Sequence, residues 1–600
     1  MKHQEQKIFY TTRNALLVFG FGTVIYSGYQ MSSQPFWGYL PKVFFLGFYV
    51  FSLTLITFHK TLRRRLEEDT FLLRALGLSV ISGLGLGLGF PPYWLLPLIF
   101  CGFVPLLIIL KHRVENKLSR RSYILLLFNA FIIWNIWSTH WVANSALAAG
   151  VVAIVLNSLF MVLPWLMCSW LSRRLNISDY WGLVWAAAWI LFEFLHLRWD
   201  ISWPWLNLGN AMASFPFLAQ WYEYTGVLGG TAWILGANFL LYRVYVKIKS
   251  AASFRSSIFT AGIWIFIPAV ISGIMYFSYT LPEDMGRFSV INPNIEPHYE
   301  KFDLGFSEQK GSFDRLIDRA LAKDPDLILL PETSFNRINL SSIESNAGIG
   351  YLQSKLLSTD YKTKVLTGIS AFDIFEKDHV PNRPSIRESK DRSGNTYYWE
   401  VYNSAILVGN DSIPVYHKQK LVPGAEIFPY RKLLFFFKPL IDKLGGSIYG
   451  YGRPESQNVF TIREIKIGPI ICYESVYGEF CRKYVANGAN VLGIVTNDGW
   501  WDDTEGHKQH YEFAALRAIE YRRSVVRSAN LGFCGGFNPL GNELTQPNKY
   551  NQPTEITFEA PLNSEITFYA KWGDFMGRFS LFFLIFMGLK GVVETIKSDK

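Results

Sequence analysis

Charge is scarce in this sequence. Only 18% of its 600 residues are Asp, Glu, Lys or Arg, against about 25% in soluble domains. Half are hydrophobic. That balance excludes an intrinsically disordered protein and a typical cytosolic enzyme. Cysteine is rarer still, and five in the whole chain exclude a disulfide scaffold. No internal repeat stands out, and no cleavable signal peptide is expected, because the first apolar run lacks a small-x-small site and further runs follow it. What abounds is aromatic side chain, 16% with 20 Trp, and long apolar stretches. Length alone suggests two to four domains. A net charge of +10 raises the question of nucleic acid, and the placement of the cations answers it.

A membrane span takes about 20 mainly apolar residues. Runs of that kind lie near 14–30, 43–59, 71–89, 92–110, 122–142, 146–170, 181–197, 225–245 and 257–280, with a tenth near 577–595. With the N-terminus inside, the cytoplasmic connectors hold fifteen Lys and Arg, from Lys60 and Arg63–Arg65 to Arg255, whereas the opposite connectors hold mainly Lys42 and Arg198. This is the positive-inside bias. Much of the positive charge is therefore topological, and no nucleic acid is expected as a partner. The expected organisation is an N-terminal extension with about two extra spans over 1–70, a polytopic membrane domain of about seven spans over 71–280, an α/β domain outside the cytoplasm over 281–575, and a last span with a short cytoplasmic tail over 576–600. No role is assigned to 1–70.

Within 281–575, Arg287–Ile295, Leu327–Leu330, Lys364–Ile374, Val401–Val408, Ile465–Tyr473, Val491–Thr496 and Val525–Ala529 read as strands, with two more short ones in 555–570. Segments 306–322 and 507–521 read as helices. The polar stretch 376–398, with Pro381 and Pro384, reads as a surface loop or insertion. Strands alternating with helices predict a layered α/β domain.

Three residues at strand ends can do chemistry together. Cys472 ends an apolar strand, Glu332 follows another, and Lys418 sits in Tyr416-His417-Lys418. Singly, each has a blander explanation: an inert core thiol, a helix cap, a solvated lysine. Jointly they supply a nucleophile, a base in an apolar pocket to take its proton, and a cation for a developing oxyanion. Lys420, two residues on, is expected to tolerate the replacement that Lys418 does not.

Glu, Lys and Cys in this order resemble the nitrilase, or carbon–nitrogen hydrolase, superfamily. Pro331-Glu332-Thr333, Cys472-Tyr473-Glu474, Thr496-Asn497-Asp498-Gly499-Trp500, Arg517-Ala518-Ile519-Glu520 and Arg527-Ser528-Ala529-Asn530 agree with it. Such a domain between a polytopic segment and one more span is similar to the apolipoprotein N-acyltransferase family, which Glu193 and Trp203-Pro204-Trp205-Leu206-Asn207-Leu208-Gly209 also match. The resemblance covers about 70–595. It implies an α-β-β-α sandwich. It implies transfer of a fatty acyl chain from a membrane phospholipid, usually the sn-1 chain of phosphatidylethanolamine, to the α-amino group of an S-diacylglyceryl cysteine at a lipoprotein N-terminus. In it Cys472 forms a thioacyl-enzyme, Glu332 is the general base, and Lys418 with the backbone N–H of Tyr473 stabilises the tetrahedral intermediate. Glu426 and Glu474 are supporting acids. No metal or dissociable cofactor is expected, and the setting is a monomer in the bacterial cytoplasmic (inner) membrane with its catalytic domain on the periplasmic side. Two tracts depart from the family pattern. Val422-Pro423-Gly424-Ala425-Glu426 stands where Val-Pro-Phe-Gly-Glu is usual, and Gly532-Phe533-Cys534-Gly535-Gly536 is unusual.

Two other readings compete. A membrane-tethered nitrilase-like amidase would have a closed, polar site. Against it stands Tyr430–Tyr451, whose Phe435–Phe437 run between Arg431, Lys432 and Lys438 reads as an apolar lid at a membrane surface. A transporter or scaffold leaves Glu332, Lys418 and Cys472 unexplained. The sequence leaves open whether Cys481 and Cys534 pair.

Overall fold

The computed structural model describes residues 2–56, 58, 69–175, 181–298, 306–431, 449–454 and 459–598. The connector with Lys60 and Arg63–Arg65 and the expected lid run Phe435–Phe437 lie outside them.

Helices α1 (Lys2–Ser33) and α2 (Leu40–Ile56) form a hairpin. Glycines bring them together: a Cβ on Gly20 would meet Phe51 N at 2.7 Å, and one on Gly47 would meet Thr23 at 2.8 Å. Small residues at a contact are how apolar helices pack in lipid. There follow α3 (Thr70–Leu88), α4 (Val104–Val114), α5 (Arg120–Thr139), α6 (Leu147–Arg174), α7 (Trp181–His196), α8 (Val227–Lys249) and α9 (Arg255–Ser278). Among the described residues, six helices are long and apolar enough to cross a membrane: α3, α5, α6, α8, α9 and Phe575–Glu594; α2 and α7 are apolar but shorter. This region is a polytopic helical membrane domain. The expected span at 92–110 is not one helix. Pro91, Pro92 and Pro97 withhold N–H donors, so the chain makes a 3₁₀ turn at Leu96–Leu98 and enters α4 only at Val104.

Between α7 and α8 the chain runs through three 3₁₀ turns, Pro204–Leu206, Leu208–Met212 and Pro216–Leu218. Glu193 of α7 holds this segment, accepting from Trp189 Nε1 (2.9 Å), Leu208 N (2.8 Å) and Thr231 Oγ1 (2.6 Å). Gly209 is required there, since a Cβ would come within 2.0 Å of Val227 O.

The α/β domain carries two sheets. One has the order β13-β1-β2-β4-β6-β5, with β3 on β4 and β7 on β6. Its strands are β1 (Met285–Asn292), β2 (Leu327–Leu329), β3 (Phe335–Asn339), β4 (Lys364–Phe375), β5 (Arg387–Lys390), β6 (Thr396–Val408), β7 (Val415–His417) and β13 (Thr554–Pro561). The other has the order β12-β11-β10-β9-β8. Its strands are β8 (Phe460–Ile462), β9 (Ile465–Ile471), β10 (Val491–Asn497), β11 (Ser524–Asn530) and β12 (Gly535–Phe537). Alternate side chains point to opposite faces of a strand. Phe288, Val290, Leu327 and Leu329 therefore pack inward with Ile467 and Ile471 of the second sheet. Ile291, Ile328 and Leu330 pack outward against α10 (Phe306–Leu321) and α11 (Ala347–Leu356), through Phe313, Ile317, Leu352 and Leu356. Helices α12 (Gly478–Ala486) and α13 (Glu505–Tyr521) cover the outer face of the second sheet. The result is the expected α-β-β-α sandwich, after which α14 (Phe575–Ser598) packs on α6 and α7.

Two local expectations need correction. The second strand expected in 555–570 is a short helix, Phe568–Trp572, because Thr567 caps it by accepting from Ala570 N. The stretch 376–398 is not all loop: β5 and the start of β6 make a polar edge hairpin, Arg387 pairing Trp399.

Helix α13 joins the domains. All its residues but Lys508 and Glu512 are buried. Gln509 alone ties three membrane-domain segments to it, accepting from Trp141 Nε1 and Trp205 Nε1 and donating to Pro91 O and Ser138 O. The N-terminal extension docks at the same end. Trp37 N and Gly38 N donate to Asp502, and Lys42 Nζ lies 2.9 Å from Glu505.

Candidate active site

Glu332 follows β2, on a turn whose next residue, Thr333, has φ +48°. The neighbouring strand makes room for it with a glycine. Gly368 N donates to Pro331 O, Ser334 N donates to Gly368 O, and a Cβ on Gly368 would lie 2.5 Å from Glu332 Cα.

Lys418 follows β7, which β6 positions, and its own N–H extends that pairing by donating to Asn403 O at 2.8 Å. Its Nζ is buried, 3.1 Å from Glu332 Oε1 and 2.8 Å from Glu426 Oε1. Asn403 Nδ2 donates to the same two oxygens, at 2.6 and 3.0 Å. Glu426 is held by its own turn, accepting from Val422 N at 2.8 Å. The departure Pro423-Gly424-Ala425 thus leaves Glu426 at Lys418, with Gly424 taking the φ +86° that the turn needs.

Cys472 opens a 3₁₀ turn, Cys472–Val476, at φ +50°. Strand β9 therefore stops at Ile471, one residue before the thiol. Glu474 ties this turn to the lysine loop, accepting from Ile471 N (2.8 Å), Gln419 N (2.7 Å), Lys420 N (3.2 Å) and Tyr416 OH (2.6 Å). Tyr473 points the other way: its hydroxyl donates to Ser202 O at 2.8 Å and its ring stacks on Trp203.

The electrostatics follow from burial and charge. Burial disfavours the Lys418 ammonium, but the carboxylates of Glu332 and Glu426 outweigh it and hold its pKa well above the ordinary value. Burial raises the Cys472 thiol pKa, the Glu332 carboxylate adds to the rise, and Lys418 opposes it. Burial pushes Glu474 up to about 7, against the bonds it accepts from Tyr416 and the backbone. A neutral thiol beside a carboxylate and a fixed cation can carry out nucleophilic acyl substitution, provided the proton leaves as the bond forms.

Sequence reasoning singled out Glu332, Lys418, Cys472, Glu426, Tyr473 and Glu474. The fold brings Glu332, Lys418 and Glu426 into direct contact and sets Cys472 within their field. Sequence reasoning missed Asn403, which bridges the carboxylates, and the group beneath the thiol. There His510 Nε2 lies 3.2 Å from Cys472 O and 2.8 Å from Ser475 Oγ, and His510 Nδ1 lies 2.9 Å from Asp498, which also accepts from Arg527 Nη2 at 2.6 Å. Asp498 and Arg527 belonged to motifs already noticed, and His510 lay in the helix expected at 507–521, outside those motifs. Lys420, expected only to tolerate replacement, is partly buried: its Nζ reaches Leu197 O at 3.4 Å and lies over the Tyr477 ring. All five cysteines are free thiols. Among the described residues no three His, Cys, Asp or Glu side chains are grouped to hold a metal ion.

Two family profiles match the chain, together over about two thirds of it: "Apolipoprotein N-acyltransferase N-terminal domain" over residues 82–240 and "Carbon-nitrogen hydrolase" over 311–552. An apolipoprotein N-acyltransferase of Chlorobaculum tepidum is 27% identical over 86% of this chain and 96% of its own length. One of Haemophilus influenzae is 23% identical over 86% and 95%. Among solved structures, a mutant of the Nesterenkonia AN1 amidase from the nitrilase superfamily covers 47% of this chain and 94% of its own, with 14% identity and a TM-score of 0.30.

Proposed function

We propose that this chain, which belongs to the apolipoprotein N-acyltransferase family, transfers a fatty acyl chain from a membrane phospholipid to the N-terminal amino group of diacylglyceryl lipoproteins. The observation that carries the mechanism is the buried contact of Lys418 with Glu332, 3.1 Å, beside a thiol on a left-handed turn. Cys472 Sγ attacks the acyl carbonyl while Glu332 takes the thiol proton. Lys418 and the N–H of Tyr473 hold the oxyanion. The lysophospholipid alkoxide leaves with the proton from Glu332, and a thioester remains. The lipoprotein amine then attacks the thioester, forms the amide, and the thiol is restored. Glu426 shares the charge of Lys418, and Glu474 fixes the nucleophile turn. The amidase alternative is disfavoured by the bond from Tyr473 to Ser202, which docks the nucleophile turn on the membrane domain.

The donor proposed is phosphatidylethanolamine, and the setting is a monomer in the bacterial inner membrane with domains divided near 71, 281 and 576. The positive-inside bias supports a periplasmic catalytic domain. A reporter inserted within 376–398 tests the orientation, and its recovery in the cytoplasm reverses it. The central experiment is intact-mass analysis of the purified protein incubated with phosphatidylethanolamine. An acyl adduct on Cys472 is expected. No adduct in folded protein, or unchanged lipoprotein acylation in folded Cys472→Ala, would falsify the covalent route.

A further inference from the structure

Lys420 is half-buried, yet it has no carboxylate within ion-pair distance among the described residues. Its Nζ makes one long bond, 3.4 Å to Leu197 O, and lies 4.8 Å from the Tyr477 ring centre. Burial pushes its pKa down, and the guanidiniums of Arg198 and Arg453 push it further. Among the described residues the nearby acids are committed elsewhere. Glu474 accepts from four donors and is pushed up to about 7 by burial. Glu479 and Asp574 pair with Arg198. Asp200 is 4.0 Å from Arg453, which is half exposed. A desolvated ammonium facing other cations is costly unless an anion joins it.

The position says which anion. Lys420 N is bonded to Glu474, so its backbone is fixed to the nucleophile turn. Its ammonium reaches Leu197, the residue just past the end of α7. Trp199 and Trp203 follow this boundary within six residues, aromatics of the kind found at the headgroup level. Lys418 and Lys420 are two residues apart, at most about 7 Å along the chain. In a glycerophospholipid, only the short glycerol backbone separates the phosphate from the acyl ester. A lipid with its ester carbonyl at Lys418 would carry its phosphate toward Lys420.

We propose that Lys420, with Arg453 at its exposed edge, is a phosphate-binding subsite for the headgroup of the acyl-donor phospholipid. This rests on the acyltransferase reading above.

The test uses the full chain in mixed micelles and follows acylation of Cys472 by intact mass. The donors are phosphatidylethanolamine and two phosphate-free esters, diacylglycerol and p-nitrophenyl hexanoate. In Lys420→Met, the preference for phosphatidylethanolamine over the nitrophenyl ester is expected to fall roughly ten- to hundredfold, the worth of one charge-assisted hydrogen bond. The loss should sit in the half-saturating phospholipid concentration, and Lys420→Arg should restore it. Arg453→Gln should give a smaller loss of the same kind. Equal losses with phosphatidylethanolamine and the nitrophenyl ester make Lys420 a structural residue and overturn the subsite, as does an unchanged preference. If wild type prefers phosphatidylethanolamine no more than diacylglycerol, while inorganic phosphate binds and is lost in Lys420→Met, the site takes free phosphate and the lipid assignment is overturned. A wild type acylated by the nitrophenyl ester but never by phosphatidylethanolamine overturns the phospholipid-donor reading itself. That result cannot be confused with a loss confined to the variants.

Discussion

Lys418 lies closer to Glu426 than to Glu332, at 2.8 against 3.1 Å, so the ammonium is shared rather than dedicated to one partner. Asn403 spans the same two carboxylates from the other side. One cation thus stands between two acids, Glu332 buried and Glu426 partly buried. Burial opposes its charge, and the two acids overcome that opposition.

Replacing Lys418 with Met should lower acylation roughly 10²–10³-fold, the usual loss for one oxyanion-stabilising donor. It should also destabilise the protein by about 3–5 kcal/mol, because breaking a buried pair leaves charge uncompensated. Adding Glu426→Gln should recover part of the stability and none of the rate. Thermal unfolding and intact-mass time courses separate the two effects. A double variant that regains its rate shows that Lys418 serves the fold and not the oxyanion.

Gly368→Ala should misplace Glu332 without touching the thiol or the lysine. The new Cβ would need space now held by Glu332 Cα at 2.5 Å and Pro331 O at 2.8 Å. Overpacking of this kind costs about 1–3 kcal/mol, and a 1 Å displacement of a reacting group can cost about 100-fold in rate. A folded Gly368→Ala protein that acylates Cys472 at the wild-type rate would mean that the position of Glu332 is not critical.

Glu474 predicts a pH dependence. Its folded pKa is raised by burial from 4.5 to about 7. Between those values the unfolded chain binds fewer protons than the folded one, so stability falls as pH rises through the window and levels off above it. The carboxyl contributes up to about 3 kcal/mol to that fall. Glu474→Gln should flatten the fall between pH 4.5 and about 7 when melting temperatures are compared across pH. A parallel curve for variant and wild type would assign the fall to other groups.

Glu193→Ala should strip an acceptor from Trp189, Leu208 N and Thr231 at once. Unsatisfied buried donors cost roughly 1–3 kcal/mol each, so a loss of at least ~2 kcal/mol in thermal unfolding is expected. Acylation should fall as well, because the segment Glu193 holds begins at the residues that dock Tyr473. A variant with wild-type stability would mean that water or a neighbour replaces the carboxylate.

Much of the architecture was legible because it rests on short apolar runs with a strand's burial. Leu327–Leu330 is a continuous apolar run and Ile467–Ile471 a second one after the exposed Lys466, and each leads within two residues to a side chain that can do chemistry. The edge hairpin at 387–399 escaped notice because an edge exposed on both faces keeps no apolar alternation. Helix α13 was legible at 507–521 because Phe513, Leu516, Ala518 and Ile519 recur at helical spacing, but the burial of Gln509, His510, Arg517 and Glu520 could not be read. Most of their partners come from segments distant in sequence, and no local period encodes them. Lys418 and Lys420 are alike in type and nearly alike in sequence context. Only the fold reveals that one is neutralised twice and the other, among the described residues, not at all.

The contact of α14 with α7 bears on how the protein is made. A Cβ on Gly577 would come within 2.1 Å of Phe194, so the two helices meet closely there. Yet α7 leaves the ribosome before the catalytic domain and α14 after it. The face of α7 that receives Gly577 must therefore stay in lipid, or under a chaperone of membrane insertion, throughout synthesis of the sandwich. The contact of Gly577 with Phe194 can form only once α14 has been delivered. A ribosome stalled within the catalytic domain would hold a membrane bundle already inserted but still missing the helix that seals it.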